Sequence, residues 1–80
     1  MEYPVKTPQQ LAQILRGIRK DRRLTQVAVA DQIGSLQSKI STFESNPAKY
    51  SIDRLFRLLS VLGLELVIRD RQQPNKKREW

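Results

Sequence analysis

Hydrophobic side chains follow two different spacings along this chain, and the change of spacing separates its predicted elements. Between residues 7 and 63 they recur at intervals of three and four, which is the period of one helix face. Residues 64–70 alternate instead, as a half-buried strand does. One side of that strand carries Leu64, Leu66 and Ile68, and the other side carries Glu65, Val67 and Arg69. The pattern predicts a mainly α fold, a compact bundle of about four to five helices, with one C-terminal β-strand.

Capping residues place the ends of four helices. The first helix starts from a Thr-x-x-Gln capping box at residues 7–10, and the third starts at residue 36. The other caps are Thr25 and Ser51 at N-termini and Gly34 and Gly63 at C-termini. The side chains expected to face the core are Leu11, Ile14, Leu15, Ile18, Val29, Ala30, Ile33, Leu36, Ile40, Phe43, Ile52, Leu55, Phe56, Leu59 and Leu62.

The predicted strand at residues 64–70 needs a partner, because an isolated strand leaves its N–H and C=O groups unpaired. Residues 3–6 are an internal candidate, although Pro4 has no N–H to donate. The same strand of a second molecule is the other candidate, and it would produce a two-fold dimer. A frayed segment is the third reading. We favour the homodimer, in which the dimerisation residues are Leu64, Leu66, Val67 and Ile68.

Composition restricts the class of protein. The chain has 80 residues, 15 Lys plus Arg against 8 Asp plus Glu, and neither Cys nor His. A single small domain is expected, without disulfides and without a Cys/His zinc site. The net charge of +7 favours a polyanion or an anionic membrane surface as partner. No apolar stretch approaches the roughly 20 residues of a membrane span, so we expect a cytoplasmic protein.

Catalytic chemistry has no visible basis in the sequence. Histidine and cysteine are missing, there is no glycine-rich phosphate loop, and no pair of carboxylates suggests acid–base catalysis. The acidic residues Asp21, Asp31, Glu44 and Asp53 are each explained by helix ends or ion pairs. We therefore expect no enzyme activity, no catalytic or metal-binding residues and no cofactor.

The stretch GSLQSKISTFE at residues 34–44 has an unusual polar face. Its small hydroxyl side chains, Ser38, Ser41 and Thr42, are poorer helix formers than the Glu and Lys of an ordinary solvated face. Small polar side chains suit a helix that enters a DNA major groove, which is about 12 Å wide. Gln37 can pair with adenine, and Lys39 can reach guanine or a phosphate. This face is either a base-reading surface or a solvated helix face with unfavourable helix propensities.

This helix and the short one before it, joined by a turn at Gly34, form a predicted helix–turn–helix. Residues 11–62 resemble the Cro/phage-repressor-like (XRE) DNA-binding domain, through the string LTQVAVADQIGSLQSKISTFE. The resemblance implies that the third helix lies in a major groove. The implied base contacts are Leu36, Gln37, Ser38, Ser41 and Thr42, to which side-chain chemistry adds Lys39. The implied phosphate contacts are Gln26, Asn46 and Lys49. An ion pair between Arg19 and Glu44 is expected to hold the third helix.

The chain departs from the family pattern at one point. Where the family commonly has an apolar residue followed by a Ser or Thr cap, this sequence has Ser35 followed by Leu36. Either the cap moves back to Ser35, or Leu36 faces DNA.

The C-terminal part narrows the resemblance. SVLGLELVIRD and a polar tail ending in Glu-Trp are similar to the HipB antitoxins. The residue pattern divides the chain into an N-terminal arm at 1–6, a DNA-binding domain at 7–63, a dimerisation strand at 64–70 and a polar, basic tail at 71–80 that we expect to be flexible. The resemblance implies that the strand pairs across the dimer. It also implies repression of the chain's own toxin–antitoxin operon in a bacterial nucleoid, and binding of a HipA-type serine/threonine kinase toxin through Trp80. An XRE repressor without a toxin partner is the first alternative. A module that binds RNA or membrane non-specifically is the second.

Overall fold

The computed structural model describes residues 2–71, and its regular structure is helical. The elements are α1 (Pro8–Asp21), α2 (Gln26–Ile33), α3 (Gln37–Ser45), a short 3₁₀ turn (Pro47–Lys49) and α4 (Ile52–Val61). The predicted mainly α fold with four helices is confirmed. Most of the predicted tail, including Trp80, lies outside the described residues. No helix within residues 2–71 is long and apolar enough to cross a membrane.

Three of the four N-termini have the predicted side-chain caps. The hydroxyls of Thr7, Thr25 and Ser51 each accept a hydrogen bond from the backbone N–H three residues later, at 3.0, 3.0 and 3.1 Å. Helix α3 differs, because Leu36 occupies its N-cap position and makes no side-chain cap. A cap at Ser35 is wrong, because Leu36 and not Ser35 is the N-cap residue of α3. Ser35 belongs to the turn that ends α2, where its N–H donates to the Ala30 carbonyl at 2.8 Å.

The core is centred on α2, which packs between α3 and α4. Val29 and Ala30 of α2 are 0% and 1% exposed, and α2 packs against both α3 and α4. A small residue at position 30 lets a neighbouring helix come close. The remaining buried apolar side chains are Ala12, Leu15, Ile18, Ile40, Phe43, Leu58, Leu59 and Leu62. Leu11, Ile14, Ile33 and Leu55 of the predicted core are partly buried against this cluster.

The predicted inward face of α4 is partly wrong. Ile52 and Phe56 are 69% and 49% exposed, whereas Leu58, which was not expected inside, is 3% exposed. The buried stripe of α4 runs through residues 55, 58, 59 and 62, which is the spacing of one helix face. Ile52 and Phe56 lie one turn apart on the flank of that stripe, so both remain uncovered. Leu36 is also exposed, at 67%, and does not join Ile40 and Phe43 in the core.

Residues 64–71 contain neither helix nor strand. Leu64 packs against the core, while Leu66, Val67 and Ile68 are 53%, 68% and 91% exposed. Arg69 Nη1 donates to Glu2 Oε1 at 2.7 Å, so this segment passes the N-terminal arm without forming a β-ladder with it. The predicted strand is not supported within residues 2–71, because a ladder requires a second strand and one chain supplies none.

Candidate nucleic-acid interface

Helix α3 buries one narrow face and exposes the rest. Only Ile40 and Phe43 are buried, at 1% and 2% exposure. Phe43 also meets Tyr50, with 4.6 Å between ring centroids. The five predicted contact residues of this helix are all exposed, and they are Gln37, Ser38, Lys39, Ser41 and Thr42. The polar face noted in the sequence therefore lies on the surface, and Leu36 precedes it at the N-cap.

Behind this face a buried ion pair joins α1 to α3. Arg19 donates through Nε to Glu44 Oε2 at 2.7 Å and through Nη2 to Glu44 Oε1 at 3.1 Å. The side chains are 9% and 8% exposed. Arg19 Nη1 also donates to the Leu24 carbonyl at 2.7 Å, in the turn before α2. The expected Arg19–Glu44 pair thus fixes α3 against both α1 and the start of α2.

Gln26 connects this ion pair to the exposed face. Its Nε2 donates to Glu44 Oε1 at 3.0 Å, and its Oε1 accepts from Gln37 Nε2 at 3.2 Å. A carboxylate can only accept hydrogen bonds, so the NH₂ end of the Gln26 amide must face Glu44. The amide oxygen of Gln26 must then face Gln37. The orientation of the Gln37 amide is set in turn. One N–H of the Gln37 side chain is bonded to Gln26, and its Oε1 and second N–H remain free to bond to another molecule.

The other predicted contact residues are dispersed. Gln26 is half-buried at the start of α2, where the first N–H groups of the helix point outward. Asn46 and Lys49 are exposed on the segment after α3. The 3₁₀ turn that carries Lys49 packs against α1 and α3, which holds this loop near the end of α3. Trp80 lies outside the described residues.

A shallow groove beside Gln37 brings in basic residues that the sequence analysis did not assign. It lies between the end of α1 and the start of α2. Its lining residues are Arg19, Lys20, Arg23, Leu24, Thr25, Gln26, Val27 and Gln37. The sequence analysis gave the basic residues among 20–23 no role in binding. Their spacing from Gln26 and Gln37 gave no sign that they would share a groove.

Comparison with known proteins identifies the family. The chain is 36% identical over 64 residues to the antitoxin HipB of Escherichia coli O6:H1 strain CFT073, which covers 80% of this chain and 68% of the relative. It is 34% identical over 64 residues to the antitoxin HipB of Escherichia coli strain K12, covering 80% and 73%. The chain belongs to the HipB antitoxin family. No family model matches the chain.

Solved structures agree with the HipB assignment. A HipB–O4 20mer complex and a HipA–HipB–O2–O3 complex each contain a chain of TM-score 0.85 and 31% identity, covering 89% of this chain and all of theirs. A putative XRE family transcriptional regulator matches at TM-score 0.63 and 29% identity, covering 89% and 81%. The XRE helix–turn–helix resemblance is therefore confirmed.

Proposed function

We propose that this HipB-family chain is a sequence-specific DNA-binding antitoxin. In this proposal a homodimer represses its own toxin–antitoxin operon and neutralises a HipA-type serine/threonine kinase toxin in the bacterial cytoplasm. The solved relatives support it, because they are complexes of HipB with a 20mer and with HipA. We take O2, O3 and O4 in these complexes to be operator duplexes.

The preset amide of Gln37 is the observation that carries the DNA-binding proposal. Gln26 uses one N–H of Gln37, which leaves an acceptor and a donor side by side on the exposed face. The major-groove edge of adenine presents the complementary pair, the N7 acceptor and the N6 donor. Gln37 is thereby oriented before binding, and orienting a side chain in advance lowers the entropic cost of binding.

The neighbouring residues fit the same role. Ser38, Ser41 and Thr42 can bond to bases or phosphates, and Lys39 can reach guanine. Leu36, exposed at the N-cap of α3, can pack on a thymine methyl group. We assign phosphate contacts to Gln26, Asn46 and Lys49. Gln26 would approach a phosphate at the N-terminus of α2, where free N–H groups and the helix dipole favour an anion.

We propose that residues 64–70 form a strand only when a second chain pairs with them about a two-fold axis. The exposed side chains of Leu66, Val67 and Ile68 support this arrangement, because an uncovered apolar segment is stabilised by a partner. The uncovered Ile52 and Phe56 of α4 are candidates for the helical part of the interface. The two α3 helices would then read half-sites one helical turn, or a multiple of it, apart.

Fluorescence anisotropy with the chain's own promoter duplex tests DNA binding. We expect binding roughly 10³–10⁷ tighter than to a random duplex at the same salt concentration. Gln37→Ala should cost about 1–3 kcal/mol and relax the preference at one base pair. Gln13→Ala, at an exposed glutamine of α1, is the matched control and should leave affinity unchanged. Equal affinity for promoter and random duplex would refute the proposal.

Co-purification with the kinase tests the antitoxin part separately. We expect the wild-type chain to retain a HipA-type kinase and Trp80→Ala to weaken that complex without affecting DNA affinity. A Trp side chain buries roughly 150–250 Å², which is enough for a dominant contact. If neither chain retains the kinase, the protein is an XRE repressor without a toxin partner. If Trp80→Ala weakens kinase binding and DNA binding equally, the tail is part of the fold.

A further inference from the structure

Three helices of this protein end in the same hydrogen-bonded turn, and one of the three uses an unexpected residue. The turns follow α1, α2 and α4. In each turn one backbone N–H donates to the carbonyl three residues earlier, and the next N–H donates to the carbonyl five residues before itself. The residue that donates the first of these two bonds has a positive φ, of 59° at Arg23, 77° at Gly34 and 70° at Gly63. Glycine adopts this left-handed conformation without strain, whereas a side chain disfavours it. The chain therefore accepts strain at Arg23 that it avoids at the other two turns.

No contact within the described chain accounts for this arginine. Arg23 is exposed, and its side chain takes part in no hydrogen bond or ion pair among residues 2–71. Its backbone bond, from N–H to the Lys20 carbonyl at 2.9 Å, would be made equally by glycine. Strained residues persist most often where they serve a function. A strained, exposed arginine without such a partner is therefore a candidate for contact with another molecule.

The location of Arg23 indicates what that function is. Arg23 lines the groove that also contains Lys20, Gln26 and Gln37, and none of the acidic residues within 2–71 lines it. Glu44 lies behind the groove, but its carboxylate is engaged by Arg19 and Gln26. A cationic groove beside a base-reading side chain has the charge and position to receive a phosphate. An arginine can donate two parallel hydrogen bonds to that phosphate.

We propose that Arg23 binds the DNA phosphate backbone beside the base pair read by Gln37. This inference rests on the proposed DNA-binding function and adds a contact outside α3. Arg23 supplies affinity rather than base discrimination, because phosphates carry no sequence information. The protein retains the strained arginine because a glycine, although better for the turn, would lose the phosphate contact.

Arg23→Gly tests the proposal because it should change stability and affinity in opposite directions. Relief of the strain should raise Tm by on the order of 5 °C in a domain of this size. Loss of one phosphate contact should lower promoter affinity on the order of 10-fold per protomer near 0.1 M salt. The slope of log K against log salt should become shallower by about 2 for a dimer. Promoter and random duplex should lose affinity to a similar degree.

Two further variants separate charge from position. Arg23→Lys keeps the charge and should keep most of the salt slope. Arg22→Ala removes the same charge one residue away, and the Arg22 guanidinium lies beside Gly63, away from the groove. Its salt slope should match wild type. An Arg23→Gly variant with higher Tm and unchanged affinity and slope would overturn the role of Arg23 while the proposed function stands. A wild-type chain without promoter preference would overturn the proposed function itself.

Discussion

Removing the Glu44 carboxylate should destabilise this protein more than any surface charge deletion. Glu44 accepts hydrogen bonds from Arg19 at 2.7 and 3.1 Å and from Gln26 at 3.0 Å. In Glu44→Ala the Arg19 guanidinium keeps only the Leu24 carbonyl as a hydrogen-bond partner. Because the Arg19 side chain is 9% exposed, water cannot fully replace the lost acceptor. An almost buried cation is then left without its counter-ion.

The size of the effect follows from this burial. Breaking a buried ion pair by removing one partner costs about 3–5 kcal/mol. Domains are stabilised by roughly 0.05–0.15 kcal/mol per residue, which is about 4–12 kcal/mol for a chain of this length. Glu44→Ala should therefore lose a large fraction of the free energy of unfolding. It should also weaken promoter binding in the surviving folded protein, since Gln26 no longer holds Gln37 in a fixed orientation.

Urea denaturation followed by circular dichroism measures this loss through the linear dependence of unfolding free energy on urea. Asp53→Ala is the control, because the Asp53–Arg57 pair at 3.0 Å has side chains that are 75% and 59% exposed. An exposed pair contributes at most about 1 kcal/mol. If Glu44→Ala loses no more stability than Asp53→Ala, the inference that the Arg19–Glu44 pair holds α3 is wrong.

Two other substitutions test local features of the fold. Tyr50→Phe should raise the free energy of unfolding by about 1 kcal/mol at pH 7, since the buried Tyr50 hydroxyl has no hydrogen-bond partner among the described residues. Burial raises the pKa of Tyr50 above 10.0, partly opposed by the charge of Arg54. The folded state thus holds this proton more tightly than the unfolded chain. This difference contributes fully to the free energy of unfolding below pH 10, and the contribution is lost as pH rises through the folded-state pKa of Tyr50. Urea denaturation of Tyr50→Phe over the same pH range should not show that loss. Gly17→Ala should stabilise α1 by about 0.5–1 kcal/mol in thermal melts, because nothing lies within 4 Å of the added methyl group; a lower Tm would contradict this.

Local chemistry determined the features that the sequence predicted well. A hydroxyl at Thr7, Thr25 or Ser51 bonds an N–H three residues away, so the capping pattern reports the helix start directly. Glycine at Gly34 and Gly63 marks a left-handed stop for a similarly local reason. The polar face of α3 was also readable, because buried and exposed residues must alternate with the helical period.

Tertiary packing decided two features that the hydrophobic period of the sequence does not determine, namely the covered side of α4 and the orientation of Gln37. The sequence places Ile52 and Phe56 on the inward apolar stripe, but only the position of α4 against α2 determines which side of that stripe is covered. The Gln26–Gln37 bond joins residues 11 positions apart, and the Gln26–Glu44 bond joins residues 18 apart. Hydrogen bonds over such separations depend on how helices dock, and docking is a property of the whole core. Capping and period act within a few residues and can be read from the chain, whereas the orientation of Gln37 depends on atoms that only the folded state brings together.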